Sequence, residues 1–221
     1  MAPGRLLAEG VLELDALGAV LLAFRRTAEA PALALGPRER ALLDTLAEFP
    51  LRQAEWRAGR QVAKQALQQR YGLEPSRVEI LPAPSGAPLL YYDGALHPEL
   101  ELNLSHTRSW AVAAVAAFSV GVDVADDEDG ARLPRISRRV FSAGEAEECG
   151  AHESIEHLAA VWAMKEASLK LRIGGVFSPG AQSVRVRSIS PPRVADEALE
   201  LALFRLPGAA VAVARERARP T

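Results

Sequence analysis

Val161-Trp162-Ala163-Met164-Lys165-Glu166-Ala167-Ser168-Leu169-Lys170 is the stretch on which the reading of this chain turns. Leu158, Val161, Trp162, Leu169 and Ile173 recur near three- and four-residue spacing, alanines fill the gaps and Gly174-Gly175 follows, a pattern that predicts a helix and its stop. Side chains four apart on a helix lie one above the other, so Glu166 and Lys170 present a carboxylate and an ammonium on one face. A solvated ion pair needs the same spacing. Whether the pair is surface decoration or part of a site depends on the rest of the chain.

Working outward, an earlier helix over about Arg52 to Tyr71 carries Trp56 and Lys64 at the separation of Trp162 and Lys170. After the same interval each helix leads to a strand, Val78-Glu79-Ile80 in one case and Val184-Arg185-Val186 in the other. Each strand is followed by a hairpin, beginning at Leu100-Glu101-Leu102-Asn103-Leu104 or at Leu199-Glu200-Leu201-Ala202-Leu203. The chain therefore reads as an α+β protein of two similar halves, residues 1–118 and 119–221, which would pack about a pseudo-twofold axis with a cleft between them. Chance resemblance between amphipathic helix and hairpin units is the competing explanation of the echo.

The connecting elements follow from pattern and punctuation. A strand is predicted over Ala19 to Phe24, a helix from Pro37 through Phe49 that Pro50 breaks, and a strand over Arg77 to Leu81. Pro82 to Pro88 reads as a loop and Leu89 to Tyr92 as a short strand turned by Asp93-Gly94. Leu100, Leu102 and Leu104 alternate with Glu101 and Asn103 as in a half-buried strand, and Trp110 to Phe118 returns as an apolar central strand. Gly121-Val122-Asp123-Val124 makes another strand, a helix is expected near Ala143 to Cys149, and strands near Ser183 to Arg187, Leu199 to Phe204 and Ala209 to Ala214 complete the second half.

Composition excludes several function classes. Of 221 residues 49% are hydrophobic and 24% charged, enough for a packed core, and a formal charge of -2 gives no basic field for tracking nucleic acid. The single cysteine, Cys149, permits neither an internal disulfide nor a zinc cluster. Glu9, Glu13 and Asp15 interrupt the N-terminal apolar run, against a signal peptide, and no apolar run is long enough to span a bilayer. A cytoplasmic protein without membrane contact is expected.

Asp123 at a strand end and Glu166 on a helix are two oxygen donors on separate rigid supports, which suits a Mg²⁺ that keeps waters and borrows ligands from a substrate phosphate. A strand-end turn former is the plainer role for Asp123 alone. The acidic run Asp126-Asp127-Glu128-Asp129-Gly130 does not form a calcium loop, because Ala125 and Ile136 occupy the first and last ligand positions; a solvated charge run is expected there. Ser105-His106-Thr107-Arg108 reads as the turn of the hairpin that Asn103-Leu104-Ser105-His106 closes, and its hydroxyl, amides and imidazole could grip a phosphate oxygen, although such turns are also common as structure. Ser105 and His106 alternate faces and no nucleophile elbow is present, which argues against a serine hydrolase.

Taken in order, Asn103-Leu104-Ser105-His106, Gly121-Val122-Asp123-Val124, Phe141-Ser142 with Glu145, and Trp162 to Lys170 resemble the 4′-phosphopantetheinyl transferases of the surfactin-synthetase-activating type, with related segments at Gly86-Ala87-Pro88 and Ala58-Gly59-Arg60. The resemblance runs from about Pro37 to Val186 and implies a two-half α+β fold, transfer of the phosphopantetheine arm of coenzyme A to a serine of an apo carrier protein, and release of 3′,5′-ADP. It implies Mg²⁺ on Asp123 and Glu166, Glu166 as acceptor of the serine proton, and Lys170 neutralising phosphate charge. Asn103, Ser105, His106, Arg52 and Gly86, Ala87 and Pro88 would line the coenzyme, with Arg38, Arg40 and Lys64 as helpers. Arg132, Arg135, Arg138 and Arg139 would offer a basic rim to an acidic carrier helix. The chain departs from the family pattern at Ala125, where many members have a second acid, at Ala87, where a lysine is frequent, and in an offset basic residue early in the first helix. The first two departures keep open a non-catalytic relative that binds coenzyme A or a carrier protein, and Asp123 with Glu166 a metal-dependent phosphohydrolase. A monomer is expected of a self-paired chain.

Overall fold

A computed structural model describes residues 5–8, 10–132, 137–150, 154–173 and 180–217. The chain divides into two compact units, Pro3–Val120 and Gly121–Thr221. The fold is α+β in each.

In the first unit the strands β1 (Arg5–Ala8), β2 (Val11–Leu14) and β3 (Val20–Arg26) precede helices α1 (Pro37–Asp44) and α2 (Pro50–Tyr71), then β4 (Val78–Pro82), β5 (Pro88–Tyr92), β6 (Ala95–Leu96), β7 (Glu101–His106) and β8 (Trp110–Ala116). Five strands form one sheet in the order β1-β2-β3-β8-β7, and β4-β5-β6 form a second. All the described pairings are antiparallel, and β7 meets β8 with Ser105 opposite Val112 and His106 opposite Ala111. Val62, Ala63, Ala66 and Leu67 of α2 pack on Ala111, Ala113 and Val115 of β8, so small residues on the strand let the helix lie close to the sheet.

The second unit opens within β9 (Val120–Asp126), whose first residue ends the first unit, and continues through α3 (Asp127–Arg132), α4 (Ser137–Val140), α5 (Glu145–Glu148), α6 (Ile155–Ile173), β10 (Val186–Ile189), β11 (Pro192–Val194), β12 (Leu199–Leu206) and β13 (Ala209–Glu216). Its main sheet has the order β12-β13-β9, with β10-β11 as a separate hairpin. Helix α6 packs on this sheet through Ala163, Met164 and Ala167 against Ala210, Ala212 and Ala214.

The long helices and both hairpins stand where the sequence pattern predicts them, with different ends. The first helix stops at Asp44 rather than reaching Phe49, and Phe49 is exposed, so that residue is not part of a core-facing stripe. Pro50 opens α2 as its first residue, where the missing N–H costs nothing. Strand β3 extends through Arg25 and Arg26 because Arg26 stacks over Trp110 at 4.1 Å and Arg25 reaches Gln65 at 3.4 Å. The acidic run after Asp126 is the first turn of α3, where negative charge complements the helix dipole, and Asp127 holds Arg205 at 2.8 Å rather than being purely solvated. The strand expected near Ser183 to Arg187 is β10, which begins later, at Val186, because Ala181–Ser183 form a 3-10 turn; β1, β2 and β11 are additions to the sequence reading. Gly174-Gly175, read as the stop of α6, lie outside the described residues.

One buried device recurs in the two units and corrects the register of the sequence echo. In the first unit Glu39 is wholly buried and accepts from the N–H groups of Gly36 (2.8 Å) and Ile80 (2.9 Å) and from Lys64 Nζ (2.6 Å), while Lys64 also donates to the carbonyl of Pro75 (3.3 Å). In the second unit Glu145 accepts from the N–H groups of Ser142 (2.8 Å) and Val186 (2.7 Å) and from Lys165 Nζ (2.6 Å), while Lys165 also donates to the carbonyl of Ala181 (3.1 Å). Gly36 and Ser142, Glu39 and Glu145, Pro75 and Ala181, and Ile80 and Val186 are each 106 positions apart. Lys64 thus does the work of Lys165, not of Lys170. What the two helices share is an ammonium that reaches a buried carboxylate, not a fixed distance from tryptophan.

Candidate active site

Gly121 fixes the geometry of the site. A Cβ there would meet the carbonyl oxygen of Ala167 at 2.0 Å, so only glycine lets β9 run against the backbone of α6. Two residues on, Asp123 is buried, and Lys170 Nζ lies 2.7 Å from its Oδ1 and 3.2 Å from the carbonyl oxygen of Val122. Glu166 stands one turn before Lys170 on α6. Its carboxyl pKa is raised above the ordinary glutamate value by burial and by the negative charge of Asp123, against the opposing pull of Lys170. The structure therefore brings Asp123, Glu166 and Lys170 into one electrostatic cluster.

Neighbouring residues hold α6 in register. Lys165, adjacent to Glu166, is wholly buried on Glu145 and on the carbonyls of Ala181 and Val184. Ser168 bonds back to the carbonyl of Met164 at 2.8 Å and is fully buried. Sequence reasoning found Glu145 and Lys165 as parts of motifs but missed their pairing, whose signal was the same pair in the first half.

Ala125 shares the face of Asp123 on β9 and is packed into the core of the second unit with Leu158, Ala159 and Val161. Among the described residues no three histidine, cysteine or acidic side chains converge on a common point. The donor set is thus two carboxylates, a number that fits Mg²⁺, which dehydrates reluctantly and takes its remaining ligands from waters and phosphates.

The remaining predicted residues lie in the first unit. Asn103 and Ser105 share one face of β7 and are buried, while His106 turns to the opposite face and places Nδ1 3.5 Å from Glu55 Oε2 of α2. Arg52 is exposed near the start of α2. Gly86 sits at φ +89° in the turn between β4 and β5, where its N–H donates to the carbonyl of Ala83 at 2.8 Å; Ala87 and Pro88 complete the turn. Two of the expected helpers have structural occupations: Arg38 is held by Glu79 at 2.6 Å and Lys64 by Glu39. On the expected basic rim Arg132 and Arg139 are exposed, and Arg132 pairs with Asp129 at 3.2 Å, whereas Arg135 and the side chain of Arg138 lie outside the described residues.

Residues 119–211, which contain the whole Asp123, Glu166 and Lys170 cluster, match a family model described as the 4′-phosphopantetheinyl transferase superfamily. The chain is also 29% identical over 133 residues to a 4′-phosphopantetheinyl transferase of Bacillus subtilis, an alignment covering 58% of this chain and 57% of that protein. The chain thus spans little more than half the length of this curated relative. A solved structure of a holo-(acyl-carrier-protein) synthase from Bacillus anthracis str. Ames in complex with CoA (3′,5′-ADP) is 22% identical, with a TM-score of 0.37, covering 43% of this chain and 91% of that one. No described helix is long and apolar enough to cross a membrane.

Proposed function

We propose that this chain is a 4′-phosphopantetheinyl transferase of the surfactin-synthetase-activating type, which moves the phosphopantetheine arm of coenzyme A to a serine of an apo acyl or peptidyl carrier protein and releases 3′,5′-ADP. The observation that carries the reading is the cluster of Asp123, Glu166 and Lys170, built inside the segment that matches the transferase superfamily. The enzyme works in the cytoplasm as a monomer.

Asp123 and Glu166 would hold Mg²⁺, which when bound supplies positive charge to the pyrophosphate of coenzyme A. Glu166 accepts the serine proton directly or through a water, and its raised pKa strengthens it as a base. The serine oxygen forms a bond to the pantetheine phosphorus while the bond from that phosphorus to the oxygen of the departing 3′,5′-ADP breaks. Lys170, held in place by Asp123 and the Val122 carbonyl, offsets charge on the bridging and leaving oxygens. In the first unit Ser105, His106 and Asn103, with Arg52 and the 86–88 turn, serve the coenzyme. Incubation with coenzyme A, Mg²⁺ and a panel of apo carriers, followed by mass spectrometry, tests the proposal: the carrier gains the mass of the arm.

The burial of Ala125 where many relatives carry an acid favours one alternative, a non-catalytic relative that binds coenzyme A or a carrier protein. Measurable binding without a mass shift on any carrier would establish it. Breakdown of coenzyme A without an acceptor would instead mark a phosphohydrolase.

A further inference from the structure

The first unit contains an open pocket of about 500 Å³ whose lining, apart from Arg40, the transferase reading does not use. Its size is within the range of small-molecule sites, roughly 300–1,000 Å³. Leu33, Leu35 and Leu43 form apolar walls, and Arg40, Arg57 and Asp44 supply charge. The segment carrying the first wall is tied down, since Gln61 of α2 donates to the carbonyl of Leu33 at 3.2 Å and Arg40 donates to that of Leu35. Neither Arg57 nor Asp44 has an ion-pair partner among the described residues. A helix advances about 100° per residue, so Arg57 points roughly 200° around α2 from Glu55, the residue that meets His106. Arg57 and the pocket it lines are therefore on a different face of α2 from Glu55 and His106.

We infer that this cavity binds a monocarboxylate with an apolar body, the carboxylate on Arg40 and Arg57 and the body against Leu33, Leu35 and Leu43. Guanidinium groups match carboxylates in a two-pronged geometry and remain charged at any working pH. Two arginines and one aspartate leave a local charge of one positive unit, which suits a monoanion over a doubly charged phosphate. The leucines exclude water from one side of the ion pair and reward an apolar chain.

The test titrates the full chain with octanoate, octan-1-ol and inorganic phosphate, following the methyl NMR signals of Leu33, Leu35 and Leu43. Octanoate is expected to shift these signals saturably, and the two other probes to bind at least tenfold more weakly. Arg57→Gln should weaken octanoate at least tenfold while leaving carrier modification and melting temperature unchanged. Equal binding of octanol, equal binding of phosphate, no saturable shift, or retention of octanoate affinity in Arg57→Gln would each overturn the inference.

Discussion

Lys170 of α6 places its ammonium 2.7 Å from the Asp123 carboxylate of β9, tying the organising helix to the strand beside it. Both side chains are largely buried, so the pair is more than a surface contact, and Glu166 adds a second carboxylate to the same cluster.

Removing only the lysine leaves Asp123 buried and close to Glu166 without its ammonium. Lys170→Met is expected to cost about 3 kcal/mol, the low end of the range for breaking a buried pair. Replacing both partners, with Asp123→Leu added, should recover most of that stability without recovering transfer. Urea unfolding read beside carrier mass spectrometry separates the effects; a double variant as unstable as the single one would show that the pair is not what links helix to strand.

Glu166 should make the metal-free protein less stable at neutral pH. Burial first, and the charge of Asp123 second, raise its folded pKa above the ordinary value of 4.5. Between those two values the folded state binds more protons than the unfolded state, so this contribution to stability falls as pH rises through that window. In chelator, Glu166→Gln should therefore melt higher than the parent above the window, and the gain should vanish below about pH 4.5. Transfer activity should be lost throughout. A variant that melts lower than the parent at neutral pH would contradict the burial argument.

Gly121 is expected to be irreplaceable for a packing reason that no titration would reveal. An added methyl at 2.0 Å from the Ala167 carbonyl must push β9 and α6 apart. Gly121→Ala should cost about 1–3 kcal/mol, as overpacking commonly does, and should reduce transfer far more than that loss implies. A crystal structure of the variant checks the cause, by an Asp123 to Lys170 separation longer than 2.7 Å.

The α+β class was legible because α2 and α6 advertise themselves by periodicity and the β7-β8 and β12-β13 hairpins by apolar runs. Asp123, Glu166 and Lys170 were legible as candidates because their types and spacing carry the signal, and the structure brings the three into one electrostatic cluster. The reach of Lys64 to Glu39 was not, since sequence spacing from Trp56 aligned it with Lys170, while the fold uses it as it uses Lys165. Ala125 looked like a vacancy; the structure makes it core, which spacing along a strand cannot distinguish. Strands β1 and β2 are short, and a bulge between Leu6 and Ala8 shifts the register of their pairing, so their alternation is too brief to read.

The two buried pairs offer a last prediction, because the same device sits in a unit with the carboxylate cluster and in a unit without it. Glu39 with Lys64, and Glu145 with Lys165, are each fully inaccessible, and each lysine has its pKa lowered by burial while its glutamate partly restores it. Truncating either lysine leaves a carboxylate stranded in the core, at a cost of about 3–5 kcal/mol. Lys64→Met and Lys165→Met should therefore lose similar stability by urea unfolding. Their effects on catalysis should diverge, since Lys165 adjoins Glu166 and fixes the rotation of α6, whereas Lys64 supports α1 and β4. At a temperature where both variants remain folded, Lys165→Met should lower kcat for carrier modification at least tenfold more than Lys64→Met. Equal kcat values would mean that the second pair acts only as a core contact.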